Sequence, residues 1–138
     1  MEWYKIIAFV SLLVAFSCKR NGSIEGSPNP IQELRVQSDD AELYVQSIGE
    51  GQPILVLHDG PGLGFSYLFP YLSKLSRGHQ VVFFEQRCVG RSECGNSLRL
   101  SAFLGDIEAI RTHFGWEKMH VLGHGLGGLL AMQYAIQE

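Results

Sequence analysis

Three strand-length segments constrain the fold of this chain more than any other feature. Each is followed by a glycine-containing loop: 54-ILVLH-58, 81-VVFFE-85 and 118-KMHVL-122. The first two are continuous apolar runs, which are typical of strands covered on both faces, as in a parallel sheet. The segments between the runs are long enough to hold crossover helices, so the sequence predicts an α/β fold.

Two segments with alternating polarity precede these runs. Residues 33–38 and 41–49 alternate apolar and polar side chains, which predicts an antiparallel strand pair joined by a turn at Asp39 and Asp40. Helices are predicted where apolar residues recur at helical spacing, namely over 65–75, over 101–114 with Ser101 as its cap, and from Leu126 onwards. The predicted chain is therefore an antiparallel pair leading into a parallel sheet with flanking helices, and it is cut off after the last of these helices.

The first residues have the pattern of an export signal. Lys5 is followed by an apolar run over 6–16, then by Ser17 and Cys18. The run has the length of a signal peptide and is short for a membrane span. A small residue before cysteine resembles a bacterial lipoprotein signal, in which Cys18 would become the lipidated first residue. The alternative is a buried N-terminal helix or strand.

Residues 19–30 are rich in Gly, Ser, Asn and Pro, with Ile24 as the only large apolar side chain. Such a segment cannot bury enough surface to fold, so it is predicted to be a flexible tether. The predicted organisation is a signal peptide over 1–18, a tether over 19–30 and an α/β core over 31–138. We expect an exported protein of the cell envelope, attached to the membrane by a lipid.

The net charge and the cysteine spacing indicate whether nucleic acid, a disulfide or a metal is expected. The chain has 138 residues and a formal net charge of −3, with no basic stripe, so nucleic acid is not an expected partner. Cys88 and Cys94 lie six residues apart and could close a small disulfide in an oxidising compartment, although free thiols fit the sequence equally well. Their spacing does not predict a zinc site, and no metal is expected.

The glycine-rich segment 123-GHGLGG-128 has two interpretations. Gly123, Gly125 and Gly128 match the G-x-G-x-x-G fingerprint of dinucleotide-binding domains. The same letters match the nucleophile turn of a hydrolase, G-H-S-L-G-G, with Gly125 at the position of the serine. A dinucleotide site needs a carboxylate about twenty residues later, and Glu138 comes too early. The hydrolase interpretation is therefore favoured.

Three segments together identify a family resemblance. In order, 58-HDGPG-62, 85-EQRCVGRS-92 and 123-GHGLGG-128 resemble the H-G-G-P-G, D-Q-R-G-x-G-x-S and G-H-S-x-G-G motifs of the prolyl aminopeptidases, also called proline iminopeptidases, a branch of the α/β-hydrolases. The resemblance covers roughly residues 33–138 and implies the N-terminal part of that fold. It also implies release of N-terminal residues, preferentially proline, from peptides or small amides and esters, without a cofactor.

The resemblance assigns roles to individual positions. Position 125 would carry the nucleophile, and the backbone N–H groups of Gly60 and Leu126 would form the oxyanion hole. The other motif residues would order the loops around the site: His58, Asp59, Pro61, Gly62, Arg87, Gly90, Gly123, His124 and Gly127.

Four positions depart from the family pattern. Gly125 replaces the nucleophilic serine and has no atom that could attack a carbonyl carbon. Asp59 stands where the family has glycine, and its carboxylate would oppose an oxyanion if it pointed inward. Glu85 and Cys88 replace the family's aspartate and glycine, which is expected to alter that loop locally.

No histidine or aspartate follows Gly125 in the sequence, whereas the triad of α/β-hydrolases runs serine, acid, histidine. We therefore predict that this chain alone is inactive. Ser92 and Ser101 are expected to be caps, and Cys88 has no histidine near it in sequence, so none is a favoured nucleophile. The alternatives are a non-catalytic lipoprotein that binds ligands in the hydrolase pocket and, less favoured, a dinucleotide-binding module.

Overall fold

The computed structural model describes residues 29–137. The predicted signal peptide, Cys18 and the tether up to residue 28 lie outside the described residues. The described part contains five strands and three α-helices: β1 (Ile31–Gln37), β2 (Glu42–Ile48), β3 (Gln52–Leu57), α1 (Phe69–Leu72), β4 (His79–Phe84), α2 (Leu100–His113), β5 (His120–Gly123) and α3 (Leu126–Gln137). Within this range, no helix has the length and apolar character needed to cross a membrane.

All five strands form one mixed sheet in the order β1-β2-β4-β3-β5. β1 pairs with β2 and β2 pairs with β4, both antiparallel, while β3 lies between β4 and β5 and is parallel to both. Ile54 of β3 aligns with Val81 on one side and with His120 on the other. The predicted antiparallel pair that leads into a parallel sheet is confirmed. β5 forms one edge of the described sheet.

Side chains of β3 alternate between two hydrophobic clusters, as the period of a strand requires. Leu55 and Leu57 pack in the larger cluster, which also contains Leu104, Ile107 and Ile110 of α2 and, from α3, Leu130 and Tyr134. Ile54 and Val56 face the smaller cluster, which Phe65, Phe83 and partly buried residues of α1 complete. Both faces of the central strand are therefore covered, which explains its uninterrupted apolar sequence.

The segment 65–75 is not the single helix that its apolar spacing predicts. The segment contains a 3₁₀ turn over Phe65–Tyr67, the four-residue α1, and a second 3₁₀ turn over Ser73–Arg77. Pro70, near the start of α1, has no N–H group to continue a hydrogen-bond ladder from the preceding turn. In one continuous helix Leu75 would share a face with Phe65, Leu68 and Leu72, but it is 37% exposed, whereas Phe65 is buried.

The predicted cap of the next helix is also wrong. α2 begins at Leu100 with Arg99 as its N-cap residue, and no side chain caps it. Ser101 lies inside the first turn and is exposed. The helix itself is confirmed, and Gly115 follows its end with a φ of 67°.

Candidate active site

The nucleophile turn, residues 123–128, connects the C-terminal end of β5 to the first turn of α3. Gly125 lies at its centre with a φ of 57°, a left-handed conformation that glycine adopts without the steric cost of a side chain. The N–H group of His124 donates a hydrogen bond to the carbonyl oxygen of Leu57 in β3, at 3.0 Å. This bond fixes the turn against the end of the neighbouring strand.

Two further glycines allow α3 to start this close to the sheet. A Cβ atom on Gly127 would overlap the carbonyl group of Leu57, and one on Gly123 would overlap the backbone of Gly127. These two positions therefore accept only hydrogen as a side chain. The result is a sharp corner that brings the N-terminus of α3 next to the loop that follows β3.

The Asp59 side chain points into this corner. Its Oδ1 atom accepts hydrogen bonds from the N–H of Leu126 at 2.7 Å and from the N–H of Gly60 at 2.9 Å. These two N–H groups, which we call the amide pair, are the groups that the resemblance assigns to the oxyanion hole. They converge on a single carboxylate oxygen at the N-terminus of α3, where the helix dipole also favours negative charge.

The same contacts determine the charge of Asp59. The hydrogen bond from Leu126, followed by that from Gly60, holds the pKa of the Asp59 carboxyl below its usual range. The carboxyl group is therefore ionised at neutral pH. An anion already occupies the place where a substrate oxyanion would be held.

Gly125 and Asp59 share one space. A Cβ atom built on Gly125 would overlap the carboxyl group of Asp59. The first atom of a serine side chain and the carboxylate cannot therefore both be present in this geometry. The sequence presents these two positions as separate departures from the family pattern, but in the structure they are complementary.

Tyr67 joins this cluster, although nothing in its sequence context indicates it. Its hydroxyl oxygen accepts a hydrogen bond from the N–H of Asp59 at 2.9 Å and lies 3.0 Å from Nδ1 of His124. The two rings pack edge to face with their centroids 5.6 Å apart. The apolar spacing of the 65–75 segment leaves Tyr67 off the buried face, and only the fold brings it to the nucleophile turn.

His58 supports the loop after β3 from the protein interior and is fully buried. Its Nδ1 lies 2.6 Å from the carbonyl oxygen of Asp59, and its Nε2 accepts a hydrogen bond from the N–H of Gln86 at 3.0 Å. Burial is the main reason why the pKa of His58 is lowered from its ordinary value. The imidazole is therefore neutral, with its proton on Nδ1, and orders the loops.

Pro61 and Gly62 continue the loop on the solvent side. The Gly60–Pro61 peptide bond is cis, and Gly62 has a φ of 90°. Both residues are exposed. They lie at the rim of the site.

Arg87 anchors the second motif loop from inside the protein. Its side chain, 1% exposed, forms two hydrogen bonds with the carboxylate of Asp106, at 2.7 and 2.8 Å. It also donates to Asp40 at 3.1 Å and to the carbonyl oxygen of Ser97 at 2.7 Å. Arg87 therefore braces the loop and is not directed at the nucleophile turn.

The other residues of this loop are used in local structure. Cys88 and Cys94 form a disulfide, so the Cys88 sulfur is not a free nucleophile. Cys88 also has a φ of 64°, a left-handed conformation at the position where the family has glycine, and Gly90 follows with a φ of 54°. The Ser92 hydroxyl accepts from the N–H of Tyr44 at 2.9 Å and donates to the carbonyl oxygen of Glu85 at 2.5 Å.

No group of three or more His, Cys, Asp or Glu side chains within residues 29–137 is arranged to hold a metal ion. The site is built from backbone amides, the Asp59 carboxylate, the Tyr67 phenol and the His124 imidazole, and the buried His58 orders the loop beneath them. This combination lies at the corner between β5 and α3.

The sequence model of the family described as alpha/beta hydrolase fold matches residues 52–138. The chain belongs to this family. Among curated relatives of this chain, proline iminopeptidase from Xanthomonas citri is 34% identical over 117 residues, which are 77% of this chain and 36% of the relative. The branch that the three motifs resemble is therefore found among the relatives.

Solved structures show the same fold. A proline iminopeptidase-related protein from Thermus thermophilus has a TM-score of 0.72 and 32% identity, covering 78% of this chain and 40% of that chain. An epoxide hydrolase from Vigna radiata has a TM-score of 0.69 and 26% identity, covering 77% and 35%. The chain spans about a third of the length of the curated relatives it matches.

The described part of the chain therefore places position 125, the amide pair and the Asp59 carboxylate at one corner. Preorganised N–H donors stabilise an oxyanion only if the oxyanion can reach them. Here the donors already bind a carboxylate, and position 125 offers no hydroxyl. A substrate carbonyl that entered the corner would meet negative charge.

Proposed function

We propose that this chain carries the nucleophile position and oxyanion hole of a prolyl aminopeptidase-like hydrolase in which serine catalysis has been lost. The supporting observation is the occupation of the amide pair by Oδ1 of Asp59, at 2.7 and 2.9 Å. Together with Gly125, it removes two separate requirements of the serine mechanism. One is an attacking hydroxyl, and the other is an empty pair of donors for the tetrahedral intermediate.

The size of each effect supports loss of activity. Removing one donor of an oxyanion hole costs about 10²–10³-fold in rate, and loss of a triad member leaves only about 10³–10⁴-fold catalysis over water. Both the occupied oxyanion hole and the missing nucleophile are present at this corner. Correcting either defect alone would therefore leave the other in place.

The proposed substrate class comes from the relatives. Proline iminopeptidase is the name of several curated relatives, including those from Xanthomonas citri and Clostridioides difficile. We propose that the active ancestor of this chain released N-terminal proline from peptides. A prolyl anilide, which releases a coloured amine on hydrolysis, is therefore the appropriate reporter substrate.

A four-variant series tests the proposal. The chain is joined to the C-terminal part of the Xanthomonas citri proline iminopeptidase, and the chimera is prepared unchanged, as Gly125→Ser, as Asp59→Gly and as the double variant. Only the double variant should hydrolyse the prolyl anilide and react with a fluorophosphonate serine probe. In the Gly125→Ser chimera, the carboxylate still fills the amide pair and overlaps the serine Cβ.

Two outcomes contradict the proposal. One is that the unchanged chimera hydrolyses the prolyl anilide and keeps this activity after Asp59→Gly. The other is equal activity of the Gly125→Ser chimera and the double variant, which would mean that Asp59 does not obstruct the site. The Xanthomonas citri protein prepared in the same way is the positive control for the assay.

The occupied amide pair also bears on the two alternative functions, ligand binding without turnover and dinucleotide binding. A ligand-binding role without turnover is compatible with an occupied amide pair, and binding of a prolyl peptide by the unchanged chain would support it. A dinucleotide-binding role is opposed by Asp59, because its carboxylate lies at the start of α3, where a pyrophosphate would need the free N–H groups. Binding of NAD with a shift in the Leu126 amide resonance would revive that alternative.

We further propose that the protein is exported and held at the membrane by a lipid on Cys18. The supporting pattern is the basic start, the apolar run over 6–16 and the small residue before the cysteine. Growth of a bacterial host with a radiolabelled fatty acid should label the full-length protein. The Cys18→Ala variant should lose the label, and a label that survives this change would contradict the proposal.

A further inference from the structure

We propose that the Cys88–Cys94 disulfide is a redox-sensitive switch, which a dithiol reductant opens in the folded protein to release the loop of residues 88–94 from strand β2. The inference goes beyond the proposed function and does not rest on it, because it involves neither position 125 nor the amide pair. It starts from a position where the chain departs from the family pattern, with Cys88 in place of glycine.

The disulfide lies at the surface of the protein. Cys88 and Cys94 are both exposed, whereas the preceding residues Gln86 and Arg87 are 3% and 2% exposed. Thiol–disulfide exchange requires that a thiolate can reach one of the two sulfur atoms. A reductant can therefore attack this disulfide while the core stays folded.

The 88–94 loop supplies hydrogen-bond partners to the first residues of β2, which lie beyond the register between β2 and β4. Ser92 Oγ accepts a hydrogen bond from the N–H of Tyr44 at 2.9 Å. Glu93 donates its N–H to the carbonyl oxygen of Glu42 at 2.9 Å, and its carboxylate accepts from the N–H of Glu42 at 2.9 Å. Displacement of the loop would remove these partners from β2.

The geometry of the loop imposes a steric cost on Cys88. Its φ is 64°, and within residues 29–137 it is the only residue other than glycine with a positive φ. A side chain disfavours this left-handed conformation, whereas glycine adopts it freely. The disulfide offsets the cost, because closing the loop covalently removes many of the conformations that the loop could otherwise adopt.

Only one of these two opposing effects depends on the redox state. In the reduced chain the steric cost at Cys88 remains, but the covalent restraint is lost, so residue 88 can leave the left-handed region. This movement breaks the hydrogen bond from the N–H of Cys88 to the carbonyl oxygen of Glu93, which has a length of 3.0 Å. Because Ser92 and Glu93 hold the loop on β2, their contacts are expected to open with it.

The opening is confined to the loop, because the residues on both sides of it are held by other contacts. Arg87 forms two hydrogen bonds with the buried carboxylate of Asp106, at 2.7 and 2.8 Å. It also donates to Oδ1 of Asp40 at 3.1 Å, and Oδ2 of Asp40 accepts from the N–H of Asn96 at 2.5 Å. Both cysteines therefore stay close to each other after reduction, and the disulfide can form again.

The reaction balances with a dithiol as the co-reactant. One thiolate of the dithiol attacks a sulfur of the disulfide, so that the S–S bond breaks and a mixed disulfide forms with one cysteine. The second thiolate of the dithiol then displaces this cysteine, and the dithiol becomes a disulfide. The two cysteines gain two electrons from the dithiol and the two protons that it loses. The switch is thus closed in an oxidising compartment and open in a reducing one.

The test measures amide hydrogen exchange by NMR in the purified full chain, before and after addition of dithiothreitol without denaturant. Alkylation followed by mass spectrometry reports the reduction of Cys88 and Cys94. We expect the amides of Ser92 and Glu93 to exchange at least about tenfold faster in the reduced chain, as in local opening. The amide of His124, which donates to Leu57 outside the loop, should keep its exchange rate. Oxidised glutathione should restore the slow exchange.

Two variants separate the covalent bond from the steric cost at position 88. Cys94→Ser removes the bond and keeps the cost, so its loop amides should exchange as fast as those of the reduced chain. Cys88→Gly removes both the bond and the cost. Its loop amides should exchange more slowly than those of Cys94→Ser, and dithiothreitol should not change them.

The inference would be overturned if dithiothreitol reduced the disulfide only in the presence of urea, or if reduction left the exchange of Ser92 and Glu93 unchanged. Fast exchange that spread to His124 would also overturn it, because the disulfide would then stabilise the whole fold. Equal exchange rates in Cys88→Gly and Cys94→Ser would show that the cost at Cys88 does not drive opening. All of these results are separate from the four-variant serine test of the proposed function.

Discussion

The carboxyl group of Asp59 occupies the space into which a side chain at position 125 would project. The two residues are 66 positions apart in the sequence, from 59 to 125, and each is unusual for the family that the motifs resemble. Neither change is isolated in the structure, because the carboxylate fits only beside a residue without Cβ. This relationship makes the two positions interdependent, with measurable consequences for stability and reactivity.

Gly125→Ser alone should destabilise the chain. Serine at a φ of 57° carries a conformational cost of about 1–3 kcal/mol, and its Cβ must also displace the Asp59 carboxyl group. Asp59→Gly in the same molecule removes that overlap, so the double variant should unfold at a higher urea concentration than Gly125→Ser. Equal urea midpoints for the two variants would mean that the residues do not compete for space.

His58 should make folding sensitive to mild acid. Burial lowers the pKa of His58 below its ordinary value of 6.5, so the unfolded state binds a proton at a higher pH than the folded state. The resulting stability is fully present above pH 6.5 and is lost as the pH falls through the lowered pKa. The free energy of unfolding should therefore decrease below neutral pH, and the His58 imidazole should titrate below 6.5 by NMR. A midpoint at or above that value would refute the prediction.

Glu108 should contribute to the acid sensitivity at lower pH. Its hydrogen bonds with Arg111, and then that from Tyr134, lower its pKa from 4.5 to about 2. This contribution is present above pH 4.5 and is lost as the pH falls through about 2. Urea unfolding at several pH values should show a smaller loss of stability over this interval for Glu108→Gln than for the unchanged chain. If the free energy of unfolding had the same slope against pH in Glu108→Gln and in the unchanged chain, the result would be inconsistent with a Glu108 carboxylate paired with Arg111.

Arg87 should be a determinant of stability and not of catalysis. Arg87 and Asp106 are both 1% exposed, so Arg87→Met would leave a buried carboxylate without its partner. Loss of one member of such a pair costs about 3–5 kcal/mol of unfolding free energy. The comparison is Arg91→Met, where the side chain is 49% exposed and the expected cost is at most about 1 kcal/mol. Similar losses for the two variants would count against this assignment.

Much of the fold follows from short-range patterns. Continuous apolar runs predict β3 and β4, and alternation predicts the pair β1 and β2, because burial on two faces or on one face leaves a different period in the sequence. The prediction of one helix over 65–75 is wrong, since apolar spacing alone does not register that Pro70 prevents a continuous helix. The prediction of Ser101 as a cap is wrong because the helix begins one residue earlier, at Leu100.

The candidate site depends on contacts between residues that are far apart in the sequence, and sequence patterns do not predict such contacts. The motifs locate Gly60, Leu126 and position 125, but they do not show where the Asp59 carboxylate points. Its bond to the Leu126 amide spans 67 residues and exists only because Gly125 leaves the space empty. Tyr67 has no recognisable signal in the sequence, since its role arises from the packing of a 3₁₀ turn against His124.

The most direct measurement of the central claim is hydrogen exchange at the amides of Gly60 and Leu126, followed by NMR in the unchanged chain and in Asp59→Ala. If the carboxylate holds both N–H groups, its removal should shift both amide proton resonances upfield and accelerate their exchange about tenfold or more. The Gly127 amide, which donates to the carbonyl oxygen of His124 at 2.9 Å, should keep its exchange rate. Unchanged shifts and rates at Gly60 and Leu126 in a folded Asp59→Ala chain would contradict the account.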